Sequence, residues 1–162
     1  MSCKLRHLGA SAKLGVVTDV TLRELAAHGA SIATLSLPDA RRVTTVAPVS
    51  ATLRKLVASH RCGVDDAGLA TAARIKTLDV AGNGAIRTVA PCAGSLRKLK
   101  VGYGCGIDDA GLATATLIAD LDAGFDKAVR TVVPSLRRFA NSTRRLAAWM
   151  MQGSLHRRVF EC

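Results

Sequence analysis

The chain has 162 residues, 49% of them hydrophobic and only 3% aromatic, and its 23 Lys and Arg against 12 Asp and Glu give a formal charge of +11. That apolar content excludes a disordered polyelectrolyte, and the scarcity of rings excludes both a large core built on Trp, Tyr and Phe and a reader of single strands that stacks bases on aromatics. No apolar run reaches the roughly 20 residues that span a bilayer, and no basic start leads into a secretory apolar stretch, so the expectation is one soluble, unsecreted domain.

Taken in chain order, the apolar residues open a unit seven times, at Leu5, Ile32, Leu53, Ile75, Leu96, Ile118 and Leu136, each time at the first, fourth and sixth positions of an LxxLxL pattern. The first unit carries an insertion and the last is only partly legible. The clearest evidence of repetition is LRKLVASHRCGVDDAGLATA from Leu53, which returns 43 residues later as LRKLKVGYGCGIDDAGLATA from Leu96. Between them IKTLDVAGNGAIRTVAP from Ile75 returns, again 43 residues on, as IADLDAGFDKAVRTVVP from Ile118, and IATLSLPDARRVTTVAP from Ile32 foreshadows it. One period thus holds two units, of about 21 and 22 residues.

Each opening predicts a short strand, because alternate side chains leave a strand on opposite sides and only one side is apolar here. After the strand of the odd units, Asp66 and Asp109 precede Ala-Gly-Leu-Ala-Thr-Ala, which predicts an Asp-capped helical turn. In the even units Thr-Val-Ala-Pro, ending at Pro48 and Pro91, predicts an extended or turn-like segment, since proline cannot continue a helix. A single unit cannot bury its own apolar edge. Leu53, Leu56, Ala58 and Val64 therefore need Ile75, Leu78, Val80 and Ile86 stacked on them, at roughly 5 Å per strand step.

Units of this length and opening resemble the leucine-rich repeat family over about Leu5 to Thr143. The odd units look most like its cysteine-containing subtype, with Cys105, Ile107, Asp109, Gly111 and Leu112 following that pattern except that the cysteine stands one place later. Asn83 falls at the family's asparagine position. The resemblance implies an α/β solenoid with a parallel concave sheet and short helical or extended convex segments: an array of about seven units over 1–143, then a tail over 144–162 that acts as a cap. It further implies a short or truncated member of the family, whose job is to bind protein. Arrays of this subtype serve as the substrate-reading part of ubiquitin-ligase adaptors, which gives an alternative role by analogy.

Residues between the apolar positions are expected on the open face. The cations among them, Arg54, Lys55, Lys76, Arg97, Lys98, Lys100, Arg137 and Arg138, form the candidate partner-binding set, and at roughly 10 Å between alternate rungs they can act together on one acidic partner. The charge of +11 leaves nucleic acid as a second candidate partner, held electrostatically.

No catalytic residue, metal or cofactor is expected. Asp65-Asp66 and Asp108-Asp109 read as helix caps rather than ion ligands, because no third ligand stands near either pair. The glycines Gly102, Gly104 and Gly106 lack the spacing of a phosphate loop and read as turn residues. His7, His28, His60 and His156 are scattered without a triad or zinc spacing. The five cysteines are odd in number and have no CxxC spacing, and Cys62 and Cys105 lie one whole period apart, so free buried thiols in a cytoplasmic or otherwise intracellular setting are expected. In the tail, Leu146, Ala147, Trp149 and Met150 suit one apolar face closing the last layer.

Overall fold

The computed structural model describes residues 6–9, 17–124 and 128–129. Six units each open with a three-residue strand: β1 (His7–Gly9), β2 (Thr34–Ser36), β3 (Lys55–Val57), β4 (Thr77–Asp79), β5 (Lys98–Lys100) and β6 (Asp120–Asp122). They form one open, all-parallel sheet in chain order. The unit opening at Leu136 and the tail from 144 lie outside the described residues.

The register follows directly from the repeat. Leu8, Leu35, Leu56, Leu78, Leu99 and Leu121 are successive partners across the sheet. In the four middle members of that row the side chain is fully buried, as are Ile32, Leu53, Ile75 and Leu96 before it and Leu37, Ala58 and Val80 after it. Burying each leucine contributes roughly 1.5–3 kcal/mol, so the row supplies much of the stability of a sheet whose other face is uncovered. The ladder also runs past the named strands, with the N–H of Leu37, Ala58, Val80 and Val101 donating to the carbonyls of Val57, Asp79, Lys100 and Asp122 at 2.7–2.9 Å.

The chain then leaves the sheet through one recurrent turn. The eighth residue of each middle unit, Asp39, His60, Gly82 and Tyr103, has a positive φ of 58°, 57°, 72° and 53°. Glycine takes this conformation freely and aspartate tolerates it, but His60 and Tyr103 hold it at a cost of about 1–3 kcal/mol each.

Behind the sheet the units alternate. Odd units carry helices: α1 (Asp19–Ala27), α2 (Asp66–Leu69) and α3 (Asp109–Leu112). The insertion in the first unit is thus a nine-residue helix, opened by a capping box between Thr18 and Thr21. The caps of the other two stand one place earlier than Asp66 and Asp109. Asp65 accepts the Gly68 N–H at 2.8 Å and Asp108 accepts that of Gly111 at 2.9 Å. Asp66 is released for another task, because a residue already inside the helix points away from its own N-terminus, and it accepts the N–H groups of Arg87 and Thr88 in the next unit at 2.9 and 3.1 Å. Asp19 does the same at the head of α1, accepting from Thr44 and Thr45 at 2.6–3.2 Å.

Even units carry single 3-10 turns, Ala47–Val49 and Ala90–Cys92, rather than an extended back. Pro48 and Pro91 sit in the first turn, where no N–H is needed, and so start these turns instead of blocking them.

Close approach between units is permitted by glycine. A Cβ on Gly68 would lie 1.9 Å from the Thr44 carbonyl oxygen, and one on Gly111 would lie 2.0 Å from that of Arg87. Gly106, expected as a turn residue, is another such contact, 2.6 Å from the Gly84 carbonyl oxygen, whereas Gly102 and Gly104 are turn residues with φ of +149° and +75°. Asn83, 1% exposed, ties its unit to the preceding one: Nδ2 donates to the carbonyls of Ala58 and Val64 at 3.0 and 3.1 Å, and Oδ1 accepts the Ala85 N–H at 2.9 Å. Among the described residues no helix is long and apolar enough to cross a membrane.

Candidate interaction surface

Alternation along each strand puts its first and third residues on the open face. Parallel register then lines them up in two columns. One reads His7, Thr34, Lys55, Thr77, Lys98, Asp120 and the other Gly9, Ser36, Val57, Asp79, Lys100, Asp122. Neighbours within a column are about 4.8 Å apart. Three members of the expected partner-binding set, Lys55, Lys98 and Lys100, stand in these columns, and all three are exposed.

Three aspartates share the columns, so the open face is not a one-sign surface. Lys98 and Asp120 are register partners joined by an ion pair of 2.5 Å, and the hydrogen bond from Asp120 raises the Lys98 ammonium above its ordinary value. Lys100 stands between Asp79 on one side and Asp122 on the other. Both of those carboxylates accept a backbone N–H of their own loop, Asp79 from Ala81 at 3.1 Å and Asp122 from Gly124 at 3.2 Å. The lysines of β5 therefore meet carboxylates already within the chain.

Arg54, Lys76 and Arg97 occupy a different place. They precede their strands by one residue, at a bend where one carbonyl accepts two consecutive N–H groups. The Ala33 carbonyl takes those of Arg54 and Lys55, the Arg54 carbonyl those of Lys76 and Thr77, and the Lys76 carbonyl those of Arg97 and Lys98. Two consecutive residues of a strand cannot both point to one face, and the second-position side chains lie along the edge at which the strands begin. Arg54 Nη1 donates back to the Leu53 and Ala51 carbonyls at 3.0 and 3.4 Å, and Arg97 Nη1 to the Leu96 carbonyl at 3.2 Å. Arg74, not expected in the set, reaches the same Ala51 carbonyl at 3.3 Å. Its signal in the sequence was position alone, immediately before Ile75. Arg137 and Arg138 lie outside the described residues.

Compared with family models, with curated proteins and with solved structures, this chain matches none. What it can do must be argued from its own side chains.

Cys62, Cys92 and Cys105 are buried free thiols. Burial pushes the Cys62 thiol up against the lowering effect of nearby N–H groups, and pushes Cys92 up to about 11, so both are held as neutral thiols rather than nucleophilic thiolates. Among the described residues no group of three or more His, Cys, Asp or Glu is placed to hold a metal ion. At the opposite edge, where strands end, the left-handed turns bring exposed His60 and Tyr103 to either side of Gly82. His60 Nδ1 lies 3.2 Å from the point a Gly82 Cβ would occupy.

Proposed function

We propose that this chain is a non-enzymatic interaction module of the leucine-rich repeat kind, a solenoid whose parallel sheet lines a concave wall and receives another protein. The observation that carries the reading is the uncovered sheet face, with two ordered columns of polar and charged side chains laid over a continuous leucine row. The 43-residue period, the one strand per unit and the buried asparagine bridge of Asn83 support the repeat assignment. The helix-capping duty of Asp65 and Asp108 and the neutral buried thiols leave those residues to structure, and the same thiols suit a reducing, intracellular setting.

The charge order of the columns describes the partner. Lys55, Lys98 and Lys100 call for acidic groups along β3 to β5, and Asp120 and Asp122 call for a basic group at the β6 end. Proximity labelling with the full chain should define a protein set that the triple variant Lys55→Glu, Lys98→Glu, Lys100→Glu fails to label. An unchanged set with this variant would refute the reading.

A further inference from the structure

Charge is sorted between the sheet face and the edge where the strands begin. Along that edge run Arg6, Ala33, Arg54, Lys76, Arg97 and Ala119, each joined to the next by a backbone hydrogen bond of 2.7–3.0 Å. Arg74 stands beside Lys76. The edge is built from residues 28–34, 50–55, 70–77, 93–98 and 113–119, and these stretches contain no Asp or Glu at all. The ten acidic residues among the described part of the chain lie elsewhere: on the helices and their caps, on the open face and, with Asp39, at the edge where strands end.

We propose that this edge is a docking rail for the phosphate backbone of a nucleic acid, bound without regard to sequence and apart from the protein-binding face. Consecutive cations sit about 4.8 Å apart and the ends of the Arg54, Lys76, Arg97 run about 10 Å apart, within a Debye length at moderate salt, so they act on a polyanion together. From Arg6 to Arg97 is four strand steps, about 19 Å, enough for five or six phosphates of one strand at 3.4 Å each along the axis. Arg54 and Arg97 are each pinned to backbone carbonyls through Nη1, which fixes the guanidinium plane on the edge before any ligand arrives.

An acidic protein segment is the competing occupant, and the edge lacks what it needs. Between the cations stand Ala, Gly, Ser and Thr, and Leu117 at the far end is the large apolar side chain exposed there. Protein interfaces draw their affinity from apolar or aromatic anchors in desolvated pockets, whereas phosphate contacts require only spaced donors. With so few rings in the chain, bases would not be stacked or read.

The test is fluorescence anisotropy of the full chain with random-sequence single-stranded and duplex DNA and with polyglutamate, at low and moderate salt. Three proteins are compared: wild type, the edge variant Arg54→Glu, Lys76→Glu, Arg97→Glu, and the face variant Lys55→Glu, Lys98→Glu, Lys100→Glu. The two variants change net charge equally, and circular dichroism melts confirm that each is folded. DNA affinity should fall at least about 10-fold more in the edge variant than in the face variant, and the salt slope on single strands should flatten by about 2, the share of three phosphate contacts. Equal losses in both variants would overturn the proposal, because binding would then follow net charge or the basic residues beyond 124. So would absence of DNA binding at low salt, or polyglutamate bound as tightly as DNA. A failure of the rail would leave the open-face reading standing, since that is tested by the other triple variant against protein.

Discussion

Odd and even units build the same strand on the open side and different backs behind it. The odd backs are short helices fixed by side chains: Asp65 and Asp108 cap them, and Asp19 and Asp66 reach out of them into the next unit. The even backs are single turns started by proline, whose main-chain groups do the bonding, as when Val46 and Val89 donate to the Gly68 and Gly111 carbonyls at 3.2 Å. Each even back is thus clasped from one side by an aspartate and from the other by a glycine-bearing helix. Polarity alternates along the array, so a 43-residue pair, not a single unit, is the structural repeat.

The sharpest way to break that alternation is to fill the glycine contacts. Gly68→Ala or Gly111→Ala drives a Cβ to within 2.0 Å or less of a neighbouring carbonyl oxygen, backbone that cannot move without parting the units. Each should cost about 3 kcal/mol or more, or abolish cooperative folding. Gly84→Ala and Gly94→Ala meet nothing within 4 Å and should be neutral or slightly stabilising, by up to about 1 kcal/mol. Urea midpoints of the four variants decide this, and equal losses in all four would mean that the close approach carries no weight.

Next in size is the one large polar contribution of an even unit to an odd one. Asn83→Ala strips the donors from the buried carbonyls of Ala58 and Val64 and should cost about 2–3 kcal/mol, while Asn83→Asp puts a charge against the same two oxygens and should cost more. Thermal melts should rank wild type, alanine and aspartate in that order. If aspartate were the milder change, a role for the asparagine as a donor would be lost.

Why the strands were legible and the backs were not follows from these same residues. LxxLxL fixes register because a slip of one residue would turn Leu56, Leu78 and Leu99 out to water, and the structure keeps all three in one buried row. Asp65 and Asp66 are chemically identical neighbours, so composition could not say which one caps and which one bridges; only the helix start, set by packing against the next unit, divides the work. Proline reads equally well as a stop or as the first residue of a turn. On the candidate surface, alternation assigned Lys55, Lys98 and Lys100 to the sheet face, but the bend at the doubly accepting carbonyls of Ala33, Arg54 and Lys76 moved Arg54, Lys76 and Arg97 to the edge, and no residue type announces such a bend. The carboxylates paired with the lysines were visible in the sequence as outward residues. Their place in the same columns was set by the register.

A cap and a bridge of the same chemistry can be weighed against each other directly. Asp65→Ala removes a hydrogen bond to the Gly68 N–H and should cost about 1 kcal/mol, the usual worth of an N-cap. Asp66→Ala removes bonds to two N–H groups of another unit and a favourable charge at the helix start, and should cost about 1–2 kcal/mol. Gly68→Ala in the Asp66→Ala background should then cost less than it does alone, because the helix is freer to shift; full additivity would show that the bridge and the glycine contact act independently.

The smallest effect is in acid. Burial works to raise the Asp19 carboxyl, but hydrogen bonds from the Thr44 side chain and the backbone of Thr45 and Thr44, with Arg23 nearby, outweigh it and hold the group below its ordinary value. A carboxylate whose folded value is depressed contributes stability above the unfolded value of about 3.9 and loses it as pH falls through the folded one. Asp19→Asn should therefore be less stable than wild type at pH 7, and the two should converge as pH drops below about 4. The gap is small, since Thr44 is exposed and water competes for the same bonds. Convergence is the informative part: parallel stability curves down to pH 2 would mean that the Asp19 clasp on Thr44 and Thr45 acts through shape rather than charge.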